Sequence, residues 1–406
     1  MRKLFAVLVI AGVAGFIGYT IGVSQLRIRF ANYKPAVVTS KIPPSSVTAD
    51  FSLFWTIWDK VSREYVDKTA INQKNMVQGA ISGMVASLGD PYTVYLPPVQ
   101  NKAAKEDLGG YFDGVGIELG YKDKQLAVVA PLEGTPAFKA GVKSGDLILH
   151  IKDVAKKIDA DTTNMTIPEA VNIIRGPRGS EIELTFYRTG LSKPLVLKMA
   201  RDTILVKSAT VEFLNNNTVA RLKLNKFGDR TPAEWNEAVN QIISLPVGQL
   251  KGIVLDLRNN PGGYLDGAVY IAGEFLPKGK LVVTQQYGDG SQNDLKVNRA
   301  GKLLKQKVVV LVNEGSASAA EILAGALQDY QRAVAVGVKS FGKGSVQQPD
   351  DFADGSGIHV TIAKWLRPNG DWIDKKGILP DVEVKLGENA TNSATDAQLQ
   401  KAIELL

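Results

Sequence analysis

Apolar residues recur at intervals of three and four through Phe51, Phe54, Trp55, Trp58, Val61 and Tyr65, which predicts an amphipathic helix. A second helix is expected over residues 72–88, stopped by the breaker Gly89-Asp90-Pro91. Between about 105 and 200 the pattern shortens to glycine-bounded runs. Residues 114–119, 125–130, 146–151 and 181–188 read as strands, with one helix at 168–174 that ends at Arg175-Gly-Pro-Arg-Gly179. These make a small α+β module. From about Ile204 the strands become continuously apolar, at 219–224, 252–257, 308–312 and 333–338. Helices at 232–244, 267–275 and 318–330 alternate with them, the pattern of a mostly parallel sheet buried on both faces. A polar stretch at 387–395 precedes a short amphipathic helix at 397–406.

The first residues differ from everything after them. Arg2 and Lys3 precede an uncharged apolar run from Leu4 to Val23, and roughly 20 such residues cross a bilayer. The early positive charges favour a cytoplasmic N-terminus. The expectation is an uncleaved single-pass anchor, favoured over a cleaved signal peptide because the best cleavage site, Gly22-Val23-Ser24, is weak, with the rest of the chain extracytoplasmic, on the periplasmic or cell-envelope side. Gly18 and Gly22 have a spacing that pairs membrane helices and also arises by coincidence in a Gly-rich run. The expected organisation is an anchor at 1–25, a linker at 26–49 containing Pro43-Pro44, a helical region at 50–100, the small module at 101–200, the α/β core at 201–386 and a tail at 387–406.

Composition narrows the chemistry. The 406 residues carry a net charge of +7, with Lys and Arg scattered among acids, which argues against a nucleic-acid partner. There is no cysteine, so disulfides, thiolate nucleophiles and thiolate metal sites are all excluded. The two histidines, His150 and His359, follow no metal-ligand spacing and read as strand side chains.

Three segments follow apolar strands. Asn313-Glu-Gly-Ser-Ala-Ser-Ala-Ala-Glu321 opens a helix, a strand-turn-helix context that exposes a side chain and aims backbone N–H groups at it. Ser318 fits a nucleophile there, and Ser318-x-x-Glu321 equally fits a capping box. Without a usable histidine the base would be a lysine, and Lys343 lies in Ser340-Phe-Gly-Lys-Gly344 after the next strand. That segment nearly matches a phosphate-binding loop, but Gly344 replaces the required hydroxyl and no helix follows. Asp256-Leu-Arg-Asn-Asn-Pro-Gly-Gly263 supplies a Pro-Gly-Gly turn whose N–H groups are open to a ligand.

Together with Leu88-Gly-Asp-Pro-Tyr-Thr93, the small module and Ala363-Lys-Trp365, these segments, in this order, resemble the carboxy-terminal processing (tail-specific) proteases. The resemblance runs from about residue 50 to 386. It implies a multi-domain α/β fold: a ClpP/crotonase-like α/β protease core, an inserted small α+β PDZ domain and an N-terminal helical segment. It places the nucleophile on Ser318, the lysine base on Lys343 and the glutamine that orients it on Gln347. A supporting aspartate falls on Asp329, and the oxyanion hole on Gly262, Gly263 and Ala319. Gly114-Val115-Gly116-Ile117 resembles a carboxylate-binding PDZ loop, and Arg175 is a candidate for coupling that module to the protease site. The implied function is a membrane-anchored serine endopeptidase that cleaves extracytoplasmic proteins, with the PDZ module recognising unstructured apolar C-termini and gating activity. It requires no metal or cofactor, and the N-terminal helices and tail are candidate homodimer contacts. The competing expectations are a catalytically inactive membrane-anchored PDZ adaptor and a crotonase-like enzyme acting on small acyl groups.

Overall fold

The computed structural model describes residues 26–31, 34–39, 48–122, 124–385 and 395–406. It divides into two compact units, 1–76 and 77–406. The first contains an antiparallel hairpin, β1 (Leu26–Ala31) on β2 (Lys34–Thr39), inside the stretch expected to be a linker. Leu26-Arg-Ile-Arg-Phe30 alternates apolar and charged residues, the period of a strand. Helix α1 (Ser52–Glu64) follows, with Leu53, Phe54, Trp55, Ile57 and Val61 exposed. The membrane anchor requires correction. Among the described residues no helix is long and apolar enough to cross a membrane. The run from Leu4 to Val23 lies outside the described residues, so nothing here supports a single-pass anchor.

The second unit opens within α2 (Gln73–Ala86) and continues with β3 (Val94–Leu96), α3 (Pro98–Gly109) and β4 (Tyr111–Gly114). The module that follows contains β5 (Ile117–Lys122), β6 (Gln125–Pro131), α4 (Pro136–Lys139), β7 (Leu147–Asp153), β8 (Ile158–Asp161), α5 (Ile167–Ile174), β9 (Glu181–Tyr187) and β10 (Leu195–Ala200). Its sheet runs β10-β9-β7-β6-β5, which leaves β5 at an edge, and it has a core of its own around Ile148, Leu184 and Phe186. Arg201 seals one end of this core. Its guanidinium donates to Asp153 Oδ2 at 2.5 Å and to the Ile174 carbonyl, the last residue of α5, at 2.7 Å.

Strand β11 (Asp202–Leu205) pairs with β4 and returns the chain to the α/β core. The core sheet runs β12 (Ala209–Leu214), β13 (Val219–Leu224), β14 (Gly252–Asp256), β17 (Lys307–Val312), β18 (Val334–Gly337), β21 (Val382–Glu383). All its pairings after β12 are parallel. Ile253, Leu255, Val308 and Val310 face α6 (Thr231–Ile243), α7 (Leu265–Phe275) and α8 (Ala319–Asp329), while Val254, Val309 and Leu311 face α9 (Ala397–Glu404). Burial on both faces explains why these strands read as unbroken apolar runs. A second sheet runs β16 (Gln292–Lys296), β15 (Leu281–Tyr287), β20 (Gly357–Leu366), β19 (Ser345–Asp351), with β3 also paired to β20.

Side by side, β14, β17 and β18 all point the same way. The segments 258–263, 313–318 and 338–344 therefore leave one edge of the sheet together, where parallel sheets place their sites. Asp153→Ala leaves the Arg201 guanidinium buried without its carboxylate. Urea unfolding is expected to show a loss of roughly 3–5 kcal/mol, and an unchanged midpoint would contradict the pair's structural role.

Candidate active site

Ser318 stands between β17 and α8 with φ 54° and ψ −116°, a backbone conformation that non-glycine side chains rarely adopt. Such a residue stores on the order of 1–3 kcal/mol and persists only where its surroundings enforce it. Here they do. Ser316, fully buried, accepts from Asn313 N at 3.0 Å and donates to the Leu257 carbonyl at 2.8 Å, and Ala317 N donates to the Asn260 carbonyl at 2.9 Å. The first serine of Ser316-Ala-Ser318 is thus a clasp, and the second is lifted to the rim.

Gly262 and Gly263 lie across from that turn. A Cβ on Gly262 would come within 2.8 Å of Ser318 Cβ and 3.0 Å of Ala319 N, and one on Gly263 within 2.1 Å of the Phe227 carbonyl oxygen. No other residue fits either position without moving backbone. The three expected oxyanion donors are not equivalent. Gly262 N–H is already given to Asn260 Oδ1 at 2.9 Å. Among the described residues the N–H groups of Gly263 and Ala319 have no acceptor. The two N–H groups open to a ligand are therefore those of Gly263 and Ala319.

Glu321 connects this turn to the lysine loop. Its carboxylate, with no exposed surface, accepts from Ser318 N at 2.8 Å, Lys343 N at 3.0 Å, Gly342 N at 2.7 Å and Ser340 Oγ at 2.5 Å. Burial pushes its carboxyl above the usual range, and these four donors pull the other way. Lys343 is half-buried, with Nζ 4.8 Å from the centre of the Tyr92 ring. Burial drives its ammonium below the ordinary lysine range, with the Asp90 and Glu321 charges only partly opposing that shift. Tyr92 is positioned by the 90–93 turn, where Thr93 Oγ1 donates to Asp90 Oδ2 at 2.7 Å and accepts from Thr361 N on β20 at 3.0 Å.

Ser318, Lys343, Gln347 and Gly263 line one cavity of about 270 Å³, with Ile322, Val346 and Trp365 among its apolar walls. Among the described residues no hydrogen bond joins Ser318 Oγ to Lys343 Nζ, or Lys343 to Gln347. The Gln347 amide donates instead to Ser345 Oγ at 2.9 Å and Thr361 Oγ1 at 3.0 Å. Asp329 is not at the site at all. It ends α8, roughly 15 Å along the axis from Ala319 at 1.5 Å per residue. There it pairs with Arg367 and accepts from Asn369 N at 3.2 Å, which anchors the turn after β20. His359, expected to be only a strand side chain, also lines the cavity. Burial and the nearby Lys343 charge hold its imidazole below the usual range, against the pull of Asp351. Spacing singled out neither His359 for this cavity nor Tyr92 and Glu321 as the groups that contact Lys343 and its loop.

Gly114–Ile117 lie elsewhere, at the start of edge strand β5. Val115 is buried and its carbonyl accepts from Ala137 N at 2.9 Å, while Gly116, at φ 78°, accepts from Leu132 N at 2.9 Å. Arg175 caps α5 and lies 4.4 Å over the Phe112 ring. It lines a separate cavity of about 290 Å³ that is also lined by Asn259 and Pro261 of the 258–263 loop.

The family model of peptidase family S41 matches residues 218–384, and that of the activating protease CtpB N-terminal domain matches residues 11–98. The chain is 37% identical over 340 residues to the carboxy-terminal processing protease CtpA of Bacillus subtilis, covering 84% of this chain and 70% of the relative. It is 40% identical over 336 residues to a carboxy-terminal-processing protease of Bartonella bacilliformis, covering 82% and 74%. The chain belongs to the carboxy-terminal processing proteases of family S41. It is accordingly a serine-type peptidase acting on protein substrates. Among solved structures, the photosystem II D1 C-terminal processing protease aligns with a TM-score of 0.50 at 28% identity, covering 87% of this chain and 97% of that one. An S41 protease structure from Bacteroides fragilis aligns at 0.58 and 17% identity and shows the mixed α/β fold alone.

In this processing protease, Glu321→Gln turns one acceptor oxygen into a donor that faces N–H and O–H donors. It should lower stability by roughly 1–3 kcal/mol in urea unfolding, and an unaltered midpoint would remove Glu321 from its linking role.

Proposed function

We propose that this chain hydrolyses peptide bonds through an acyl-enzyme, with Ser318 as nucleophile and Lys343 as general base. The carrying observation is one cavity that contains a strained, half-buried serine, a lysine whose charge is disfavoured by burial and a glycine with an open N–H. Neutral Lys343 takes the Ser318 proton, Ser318 Oγ attacks the scissile carbonyl, and the N–H groups of Gly263 and Ala319 hold the oxyanion. The lysine then protonates the leaving amine, and water releases the acyl group by the same route. This requires Nζ to leave the Tyr92 ring for Ser318, with Gln347 turning to guide it, a tightening common on substrate binding.

The small module at 101–200 is, on this reading, a PDZ domain. A substrate C-terminus would add a strand to the open edge of β5, with its carboxylate at Gly114–Ile117. Arg175 would carry that event to the 258–263 loop, across the cavity it shares with Pro261. A second reading, His359 as base, has in its favour that His359 lines the same cavity.

Cleavage of casein by the full chain tests these roles. Ser318→Ala should abolish it, and Lys343→Ala should lower kcat by roughly 10²- to 10⁴-fold. Full activity in Ser318→Ala would return that residue to a capping role, and a larger loss in His359→Ala than in Lys343→Ala would favour the second reading. The wild-type rate should rise as pH increases through the depressed titration of Lys343, since only the neutral amine is a base. A flat profile between about pH 6 and 9 would contradict it. Arg175→Ala should weaken stimulation by peptides with apolar C-termini, and unchanged basal and stimulated rates would remove Arg175 from the coupling.

A further inference from the structure

The last described residues fold back onto the loop that carries Gly263. Helix α9 buries Leu399 and Ala402 completely against the sheet face opposite α6–α8. Its N-cap, Asp396, accepts from Leu399 N at 3.0 Å. The same carboxylate takes both ends of the Arg258 fork, Nη1 at 2.9 Å and Nη2 at 2.8 Å. Gln398, fully buried, accepts from Arg258 Nη1 at 3.1 Å and donates to the Val384 carbonyl at 2.7 Å.

On its other side Arg258 donates Nε to Asp256 Oδ1 at 2.9 Å, and Asp256 also takes Arg221 at 2.8 Å. Burial works against the Arg258 charge, but the two carboxylates hold it firmly protonated. Arg258 opens the loop. Next to it, Asn259 and Asn313 exchange two hydrogen bonds of 2.8 Å, and Asn260 takes Ala317 N on its carbonyl and Gly262 N on its side chain. Hydrogen bonds and short stretches of backbone therefore connect Asp396 to Gly262 and to the Ser318 turn. An arginine this enclosed tolerates one arrangement of its carboxylates, so whatever holds Asp396 also holds the loop.

We infer that residues 396–406 are a clamp for the oxyanion-binding loop, with Asp396 and Gln398 as positioning residues that act through Arg258. The clamp lies beyond the 218–384 segment matched by the family model. The inference rests on the proposed role of the Gly263 and Ala319 N–H groups.

Asp396→Asn in the full chain separates the clamp from helix capping, because Asn caps as well as Asp but gives Arg258 no charge. The expected result is a fall in kcat of about tenfold to a hundredfold, smaller than or equal to deletion of an oxyanion donor. KM should change little, and the thermal midpoint should fall because buried Arg258 loses one of its two carboxylates. A peptide boronate that needs both N–H donors should lose affinity by the same factor as kcat, and Asp396→Glu should recover most of the loss. Unchanged kcat and boronate affinity, or a loss that Asp396→Glu does not repair, would overturn the clamp. If Asp396→Asn does not fold, Arg258→Lys, which keeps the charge and loses the fork, is read by the same criteria. Should the wild type show no Ser318-dependent cleavage, the proposed chemistry has failed and hydrogen exchange decides the clamp. Faster exchange across 258–264 in Asp396→Asn supports it, and unchanged exchange refutes it.

Discussion

One buried carboxylate ties the proposed nucleophile to its proposed base. Glu321 has no exposed surface, and all four of its donors come from the Ser318 turn or from the 340–343 loop. Its negative charge is tolerable in the core only because those donors converge on it, and they converge only when the two loops are in register. One of those bonds, from Ser318 N, joins the Ser316 and Ala317 bonds in sustaining the unfavourable backbone of Ser318. Stability of the core and geometry of the cavity are therefore one constraint.

A second consequence concerns charge. Lys343 receives no carboxylate in direct contact among the described residues; its ammonium meets an aromatic ring and apolar walls. Burial without a close counter-ion is the condition that turns a lysine into a base near neutral pH. Were Glu321 to reach Nζ instead of the backbone N–H groups, the same carboxylate would hold the lysine protonated. Occupying Glu321 with four other donors keeps it from doing so.

Much of this was legible from the chain because its core strands are buried on both faces. The runs expected at 252–257, 308–312 and 333–338 appear as Gly252–Asp256, Lys307–Val312 and Val334–Gly337, and the helix after Ser318 as Ala319–Asp329. The second sheet gave no such signal, since strands such as Gln292–Lys296 and Ser345–Asp351 are mostly polar and partly exposed. Within the site, spacing marked Ser318, Lys343 and Gly263 but could not tell which way a helix residue faces. Asp329 thus fell at the far end of α8, and Glu321, noted only as a cap partner, proved to be the link. Tyr92 lies in a motif remote in sequence, brought over Lys343 by the pairing of β3 with β20. Whether the Gly262 N–H was free depended on an Asn260 side chain whose direction no pattern reports.

The central claim is that Lys343 is a neutral amine when it acts. The most direct measurement is the pH dependence of its acylation by a small amine-reactive reagent, followed by peptide mass mapping. Lys343 should reach half-maximal reactivity below the ordinary lysine range, whatever its absolute rate. If it titrates within that range, burial has not prepared Lys343 as a base and the account of the dyad is wrong.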